Sequence, residues 1–126
     1  MKREVISTDN APAAIGAYSQ AVKAGEMLYV SGQIPLDTDG NLIEGNAKEQ
    51  TEQVLENVKA ILKEADSDLS QVVKATIFAD DMENFSQINE VYSQYFTEDQ
   101  PARAFIEVAR LPKDVAVEIE VIAIAG

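Results

Sequence analysis

The residue with the clearest chemical potential in this sequence is Arg103. It is one of three arginines, and its neighbours in residues 101–106 (PARAFI) are small or apolar. A guanidinium can hold a carboxylate through two parallel hydrogen bonds, which makes Arg103 a candidate clamp for an anionic ligand. The alternative is a structural ion pair with one of the 22 acidic residues of the chain. The residues alone leave both interpretations open.

Two carboxylates, Glu118 and Glu120, form a second candidate group. They alternate with valine and isoleucine, so a β-strand at this point places both acids on one face. Either both carboxylates lie on a solvated strand face, or one of them orients or deprotonates a water molecule. A hairpin in which Arg110 opposes Val115 would put Arg103 and Glu118 on one face, whereas a register one residue different would separate them.

Three further polar side chains suit the rim of a pocket. Tyr18 and Ser31 lie near the ends of predicted strands, and Asn89 lies on a predicted helix. Turns and solvated helix faces use the same residue types, so the composition of these segments does not decide between the two roles.

The composition excludes several kinds of chemistry. The chain has no His and no Cys, so it offers no imidazole base and no thiolate nucleophile, and we predict no metal site. Its 126 residues fit one domain, residues 1–126. A net charge of −12 makes nucleic acid and anionic membranes poor partners. The amino terminus lacks an apolar secretory segment and no apolar run approaches ~20 residues, so we expect a cytoplasmic location.

Two segments have the three- and four-residue apolar spacing of amphipathic helices. In the first, residues 47–65, Asn46 followed by Glu49 predicts a capping box at the start of the helix. The second is residues 84–96. Its apolar stripe consists of Phe85, Ile88, Val91, Tyr92, Tyr95 and Phe96.

The strands predicted from alternation and β-branched residues are residues 3–7, 20–23, 27–33, 71–79, 102–109 and 115–124. The order β-β-β-α-β-α-β-β, with hairpins at both ends, indicates a two-layer α+β fold whose helices cover one face of the sheet. The other face must meet solvent or another subunit. Phe78, Ile122 and Ile124, with the run 115–117, predict an apolar interface there.

Three segments together resemble one known family. They are residues 10–20 (NAPAAIGAYSQ), residues 30–35 (VSGQIP) and residues 101–114 (PARAFIEVARLPKD), the last followed closely by residues 117–120 (VEIE). This combination resembles the RidA (reactive intermediate deaminase A) family, also called the YjgF family. The similarity runs from about residue 7 to residue 124.

The resemblance implies a chorismate-mutase-like α+β fold, assembled as a homotrimer with three clefts between subunits. It implies a 2-iminobutanoate/2-iminopropanoate deaminase, which hydrolyses reactive enamine and imine intermediates to 2-oxo acids and ammonia without a cofactor. By the family motif, Arg103 would clamp the substrate carboxylate and Glu118 would position the attacking water. The cleft would be lined by Tyr18, Ser31 and Asn89, with the backbone of Phe105 holding the imine nitrogen.

The chain departs from the family pattern at three positions. Ala17 stands where many relatives have Pro, and Ala104 replaces a common Ser. Phe105 replaces a small residue, so its ring would narrow the cleft or move into the subunit interface. Ala17 and Phe105 leave open a second hypothesis, a trimeric small-ligand-binding or regulatory protein with little turnover. A ribonuclease or translation inhibitor, a third role attached to the family, fits poorly with a charge of −12 and no His.

Overall fold

A computed structural model describes residues 2–126 of the chain. Its element order is β-β-β-α-β-α-β-β, which confirms the prediction. The strands are β1 (Arg3–Ile6), β2 (Ala21–Ala24), β3 (Met27–Gln33), β4 (Val72–Ala79), β5 (Ala102–Glu107) and β6 (Val117–Ile124). The helices are α1 (Ala47–Glu64) and α2 (Phe85–Tyr95), and the single-turn 3₁₀ helices are Leu69–Gln71, Met82–Asn84 and Pro112–Asp114.

The six strands form one sheet in the order β1-β2-β3-β6-β4-β5. β1 to β3 form an antiparallel meander, which confirms the hairpin at the amino-terminal end, and β6 lies between β3 and β4, antiparallel to both. β5 runs parallel to β4 at the sheet edge. The predicted hairpin of residues 102–109 with residues 115–124 is therefore wrong. Because α2 carries the chain across the helical face, β5 returns parallel to β4, and the chain then crosses to the centre of the sheet as β6.

The two helices pack together on one face of the sheet, and the core lies between these layers. α1 begins at the predicted capping box, in which the Glu49 amide donates to Asn46 Oδ1 at 2.9 Å and the Asn46 amide donates to Glu49 Oε1 at 3.3 Å. Fully buried side chains include Val54, Leu55, Val58, Ile61 and Leu62 of α1 and Leu28, Ile77 and Ile119 of the sheet. Within residues 2–126, no helix combines the length and the apolar content that crossing a bilayer requires.

The other face of the sheet, called the open face below, is covered by neither α1 nor α2. Along β6, alternate residues beginning with Val117 are buried against the helices, and the residues between them point to the open face. Apolar residues that remain exposed or half-buried on this face include Tyr29, Phe78, Ile122 and Ile124. The prediction is wrong for Val115 and Val117, which are fully buried in the single chain and offer no surface to a partner.

Candidate functional site

Arg103 lies on the edge strand β5, on the side of the sheet that faces the helices. Its register partner on β4 is Ala75, which is fully buried under the helices, and paired residues of neighbouring strands share a face. The Arg103 Nη1 donates a hydrogen bond of 2.7 Å to Oδ1 of Asn89 on α2. Within residues 2–126, no carboxylate lies at ion-pair distance from Arg103. The alternative of a structural ion pair is therefore not supported, and the guanidinium is free to meet an external anion.

Three aromatic rings surround this guanidinium. The Arg103 Cζ lies 5.0 Å from the ring centre of Tyr92 and 5.9 Å from the ring centres of Phe85 and Phe105. The rings of Phe85 and Phe105 pack against each other with their centres 4.7 Å apart. A cation is attracted to aromatic faces, so the rings restrain the guanidinium and leave its outer hydrogen-bond donors available. Burial raises the pKa of the Tyr92 hydroxyl, although Arg103 partly opposes this, and Tyr92 stays neutral.

Glu118 lies on β6 and points to the open face, opposite Phe78 of β4. It lines a cleft of about 590 Å³ together with Tyr18 and Ser31. Half-burial raises the pKa of the Glu118 carboxyl, and the neighbouring charge of Glu120 raises it further. A carboxylate whose pKa is raised toward neutral pH is suited to accept a proton from water.

The loop before β2 anchors the other two polar residues of this cleft. The Ser31 hydroxyl donates to the Ser19 carbonyl at 2.6 Å, and the Ser31 amide donates to the Gln20 carbonyl at 2.9 Å. The Tyr18 hydroxyl accepts a hydrogen bond of 3.4 Å from the Ile15 amide, and the side chain remains 53% exposed. Tyr18 is thus fixed at its tip while its ring stays accessible from the cleft.

The six predicted site residues therefore form two groups on opposite faces of the sheet. Ala75 and Phe78 of β4, the partners of Arg103 and Glu118, are three positions apart, so their side chains point in opposite directions. The first group is Arg103, Asn89 and Phe105, which we call the Arg103 half-site together with the neighbouring rings of Phe85 and Tyr92. The second group is the Glu118 half-site (Glu118, Tyr18 and Ser31). Within one chain, the same-face arrangement that the predicted hairpin would have allowed does not occur.

Two residues of the Arg103 half-site were missed as site residues in the sequence. Phe85 and Tyr92 were assigned only to the apolar stripe of the second helix. If Phe85 is position i, then Asn89 is i+4 and Tyr92 is i+7, and these three positions lie on one side of a helix. The signal that could have found them is this spacing, because a polar residue between two aromatics on one helix side faces whatever the aromatics pack against.

Comparisons with known proteins cover nearly the whole chain. The sequence profile of the family described as Endoribonuclease L-PSP matches residues 8–125. The chain is 53% identical to a RutC family protein of Pyrococcus abyssi, covering 98% of each chain. It is 50% identical to the 2-iminobutanoate/2-iminopropanoate deaminase of Rattus norvegicus, covering 98% of this chain and 91% of that one. The crystal structure of RidA from the Antarctic bacterium Psychrobacter sp. PAMC 21119 superimposes with a TM-score of 0.92 at 48% identity, covering 96% of this chain and 98% of that one.

Proposed function

This chain belongs to the RidA family, and on that premise we propose that it is a 2-iminobutanoate/2-iminopropanoate deaminase. The observation that carries the proposal is Arg103, whose guanidinium is restrained by three rings and Asn89 but has no carboxylate partner in residues 2–126. Such a group is suited to grip the carboxylate of a 2-imino acid through two parallel hydrogen bonds. The name of the rat relative supports the same activity.

Glu118 supplies the second function that the reaction needs. In the proposed step a water oxygen bonds to C2 of the imine while Glu118 accepts a proton from that water. The imine nitrogen takes that proton from Glu118, which gives a carbinolamine. Glu118 then accepts the proton of the carbinolamine hydroxyl and passes it to the nitrogen as the double bond between C2 and oxygen forms, the bond between C2 and nitrogen breaks, and ammonia leaves a 2-oxo acid. Water is the only co-reactant, and no electron transfer takes place. The raised pKa of Glu118 suits a group that first accepts and then returns a proton.

We propose that the complete site forms between two copies of the chain in a homotrimer. One chain holds the Arg103 and Glu118 half-sites on opposite faces, so a cleft containing both requires the Arg103 half-site of one copy and the Glu118 half-site of the next. Two features support such contacts: β5 is an edge strand, and the open face presents Tyr29 and Ile124 at 49% and 41% exposure. Closed symmetry would bury this face in every subunit.

The family description also names an endoribonuclease, but this chain is poorly equipped for RNA. Its net charge is −12, and repulsion of the phosphate backbone would oppose binding. It also contains no His to serve as a general base. We therefore propose a 2-imino acid as the substrate.

The test generates 2-iminobutanoate in solution with a threonine dehydratase and follows the release of 2-oxobutanoate. The chain should accelerate this release, and an Arg103→Ala variant, verified as folded by circular dichroism, should not. Equal rates with and without the protein would contradict the proposed activity. If 2-oxobutanoate bound tightly with no acceleration, the ligand-binding hypothesis would replace it.

A further inference from the structure

The strand that passes beneath Glu118 is irregular at one point. The register of β3 on β6 shifts between Val30 and Gln33, so that Ser31 and Gly32 together lie opposite Glu120 alone. An extra residue of this kind is a β-bulge, which bends the strand and redirects nearby side chains. The bulge lies directly at the Glu118 half-site, because Ser31, Gly32 and Glu118 line the same cleft.

The Glu118 carboxyl group occupies the space above Gly32. A β-carbon at position 32 would lie 3.2 Å from Cγ and 2.9 Å from Cδ of Glu118, and closer still to Oε2. Ordinary contacts of a β-carbon with these atoms begin near 3.4 Å. Any side chain at position 32 would therefore push the carboxyl group away from its position.

Space, and not backbone conformation, is what requires glycine at this position. The glycines with positive φ angles in residues 2–126 are Gly16, Gly25 and Gly40, and Gly32 is not among them. The backbone at position 32 would accept alanine, so the conflict is confined to the Glu118 side chain.

We propose that Gly32 is a positioning residue for Glu118: the missing side chain at the bulge forms the slot that holds the carboxylate in place to accept a proton from the attacking water. This inference rests on the proposed deaminase function. The slot keeps Glu118 half-buried and next to Glu120, the two conditions that raise its pKa. A carboxylate displaced from the slot would be better solvated, would titrate closer to the ordinary range of glutamate, and would no longer aim at the substrate.

The kinetic test compares Gly32→Ala with a matched control, Gly45→Ala. In the control the new β-carbon meets another glutamate, with Glu49 Cδ at 2.9 Å, in the capping box of α1 and away from both half-sites. Gly32→Ala should lower kcat by about 10²-fold, since displacement of a catalytic group by ~1 Å has effects of that size. KM should change by less than about two-fold because the Arg103 clamp is untouched. The fall in activity at low pH should move to lower pH, and the control should match the unmodified protein in all three measurements.

A second measurement separates this proposal from the deaminase activity. The pKa of Glu118 can be followed by carbon NMR of the carboxyl group, without any substrate. It should fall in Gly32→Ala and stay unchanged in Gly45→Ala. If the unmodified chain hydrolysed no imine, the proposed function would fail, while this titration would still decide whether Gly32 positions Glu118.

Stability measurements show whether a loss of activity in Gly32→Ala comes from its conflict with Glu118 or from a general loss of folding stability. Glu118→Ala removes the three atoms that would lie nearest to a β-carbon at position 32, which are Cγ, Cδ and Oε2 of Glu118. Gly32→Ala should therefore lower the melting temperature by at least about 4 °C in the unmodified background, and by less than half as much in the Glu118→Ala background. Equal losses in both backgrounds, an unchanged Glu118 pKa, or a kcat within about three-fold of the unmodified chain would each overturn the proposal.

Discussion

An equal mixture of Arg103→Ala and Glu118→Gln chains should recover activity that neither variant has alone. The two side chains lie on opposite faces of one sheet, so a shared cleft takes Arg103 from one copy and Glu118 from a neighbour. In a mixed trimer, some clefts receive the intact arginine from one variant and the intact glutamate from the other. A site contained within one chain could never be repaired in this way.

The geometry sets the size of the recovery. In every trimer that contains both variants, one of the three clefts receives an intact Arg103 from one chain and an intact Glu118 from its neighbour, so about a third of the wild-type activity should return. Loss of the Arg103 clamp leaves a substrate carboxylate without its partner, a cost of about 3 to 5 kcal/mol or ~10²–10⁴-fold in kcat/KM. The recovered activity should therefore exceed that of either parent by at least ~20-fold.

The assay uses chains that are expressed together, so that mixed assemblies form without any exchange of subunits after folding. The two variants are co-expressed with different affinity tags, purified through both, and assayed by 2-oxobutanoate release; light scattering should first give a mass near three chains. Wild type co-assembled with the Arg103→Ala/Glu118→Gln double variant and purified through both tags is the control, and it should retain about a sixth of full activity if clefts are shared and about half if they are not. Activity of the mixed trimers equal to the mean of the two parents would refute the shared cleft.

Three other changes test the groups around the cleft and the core. Arg103→Lys should restore little of the activity lost in Arg103→Ala, because an ammonium cannot form the two-point contact with a carboxylate; recovery of most of the activity would contradict the clamp. Glu120→Gln removes a like charge that raises the pKa of Glu118, so the ionised Glu118 persists to lower pH, and the acid limb of the kcat profile should move down in pH; a move upward would contradict the assignment. Asn57→Ala should lower the free energy of unfolding, measured by urea titration, by about 1 to 3 kcal/mol. The reason is that the buried Asn57 amide donates to the carbonyls of Ile34 at 3.2 Å and Leu36 at 2.9 Å. An unchanged free energy of unfolding would show that water replaces both hydrogen bonds.

The elements of this fold could be predicted from the sequence because their signals are local. Asn46 and Glu49 mark the start of α1 within four residues, and the apolar stripe that follows depends only on helical spacing. The alternation along residues 117–124 likewise placed Glu118 and Glu120 on one face of a strand, away from the helices. Such patterns are set by the geometry of one element and need no knowledge of its neighbours.

The pairing of the last two strands could not be predicted in the same way. The Arg110 to Asp114 segment has the composition of a hairpin loop, yet the chain uses it to carry β6 across to the centre of the sheet. This choice depends on the edges that β3 and β4 leave free, a property of residues far away in the sequence. For the same reason, the sequence could not show whether Arg103 and Glu118 lie on the same face of the sheet, and only the structure places them on opposite faces.

The composition of the candidate site was predictable only in part. The residue types and their spacing indicated Arg103, Glu118 and the polar residues, the family resemblance added their roles and Phe105, and the structure then divided them into two half-sites. The role of Gly32 depends on the position of one carboxyl group above a bulge, and no sequence pattern reports that distance. The contribution of Phe105 likewise depends on its ring contact with Phe85, made between β5 and α2.

The central position of β6 has a consequence for how the chain folds during synthesis. The meander β1 to β3 and the unit β4-α2-β5 are both translated before β6, and neither can pair with the other, because β6 lies between them. Each would leave the ribosome with an unpaired edge that only β6 can cover. We therefore expect cooperative folding to wait until residues 117–124 have emerged from the exit tunnel, and stalled chains that end before Val117 to be held by chaperones or degraded.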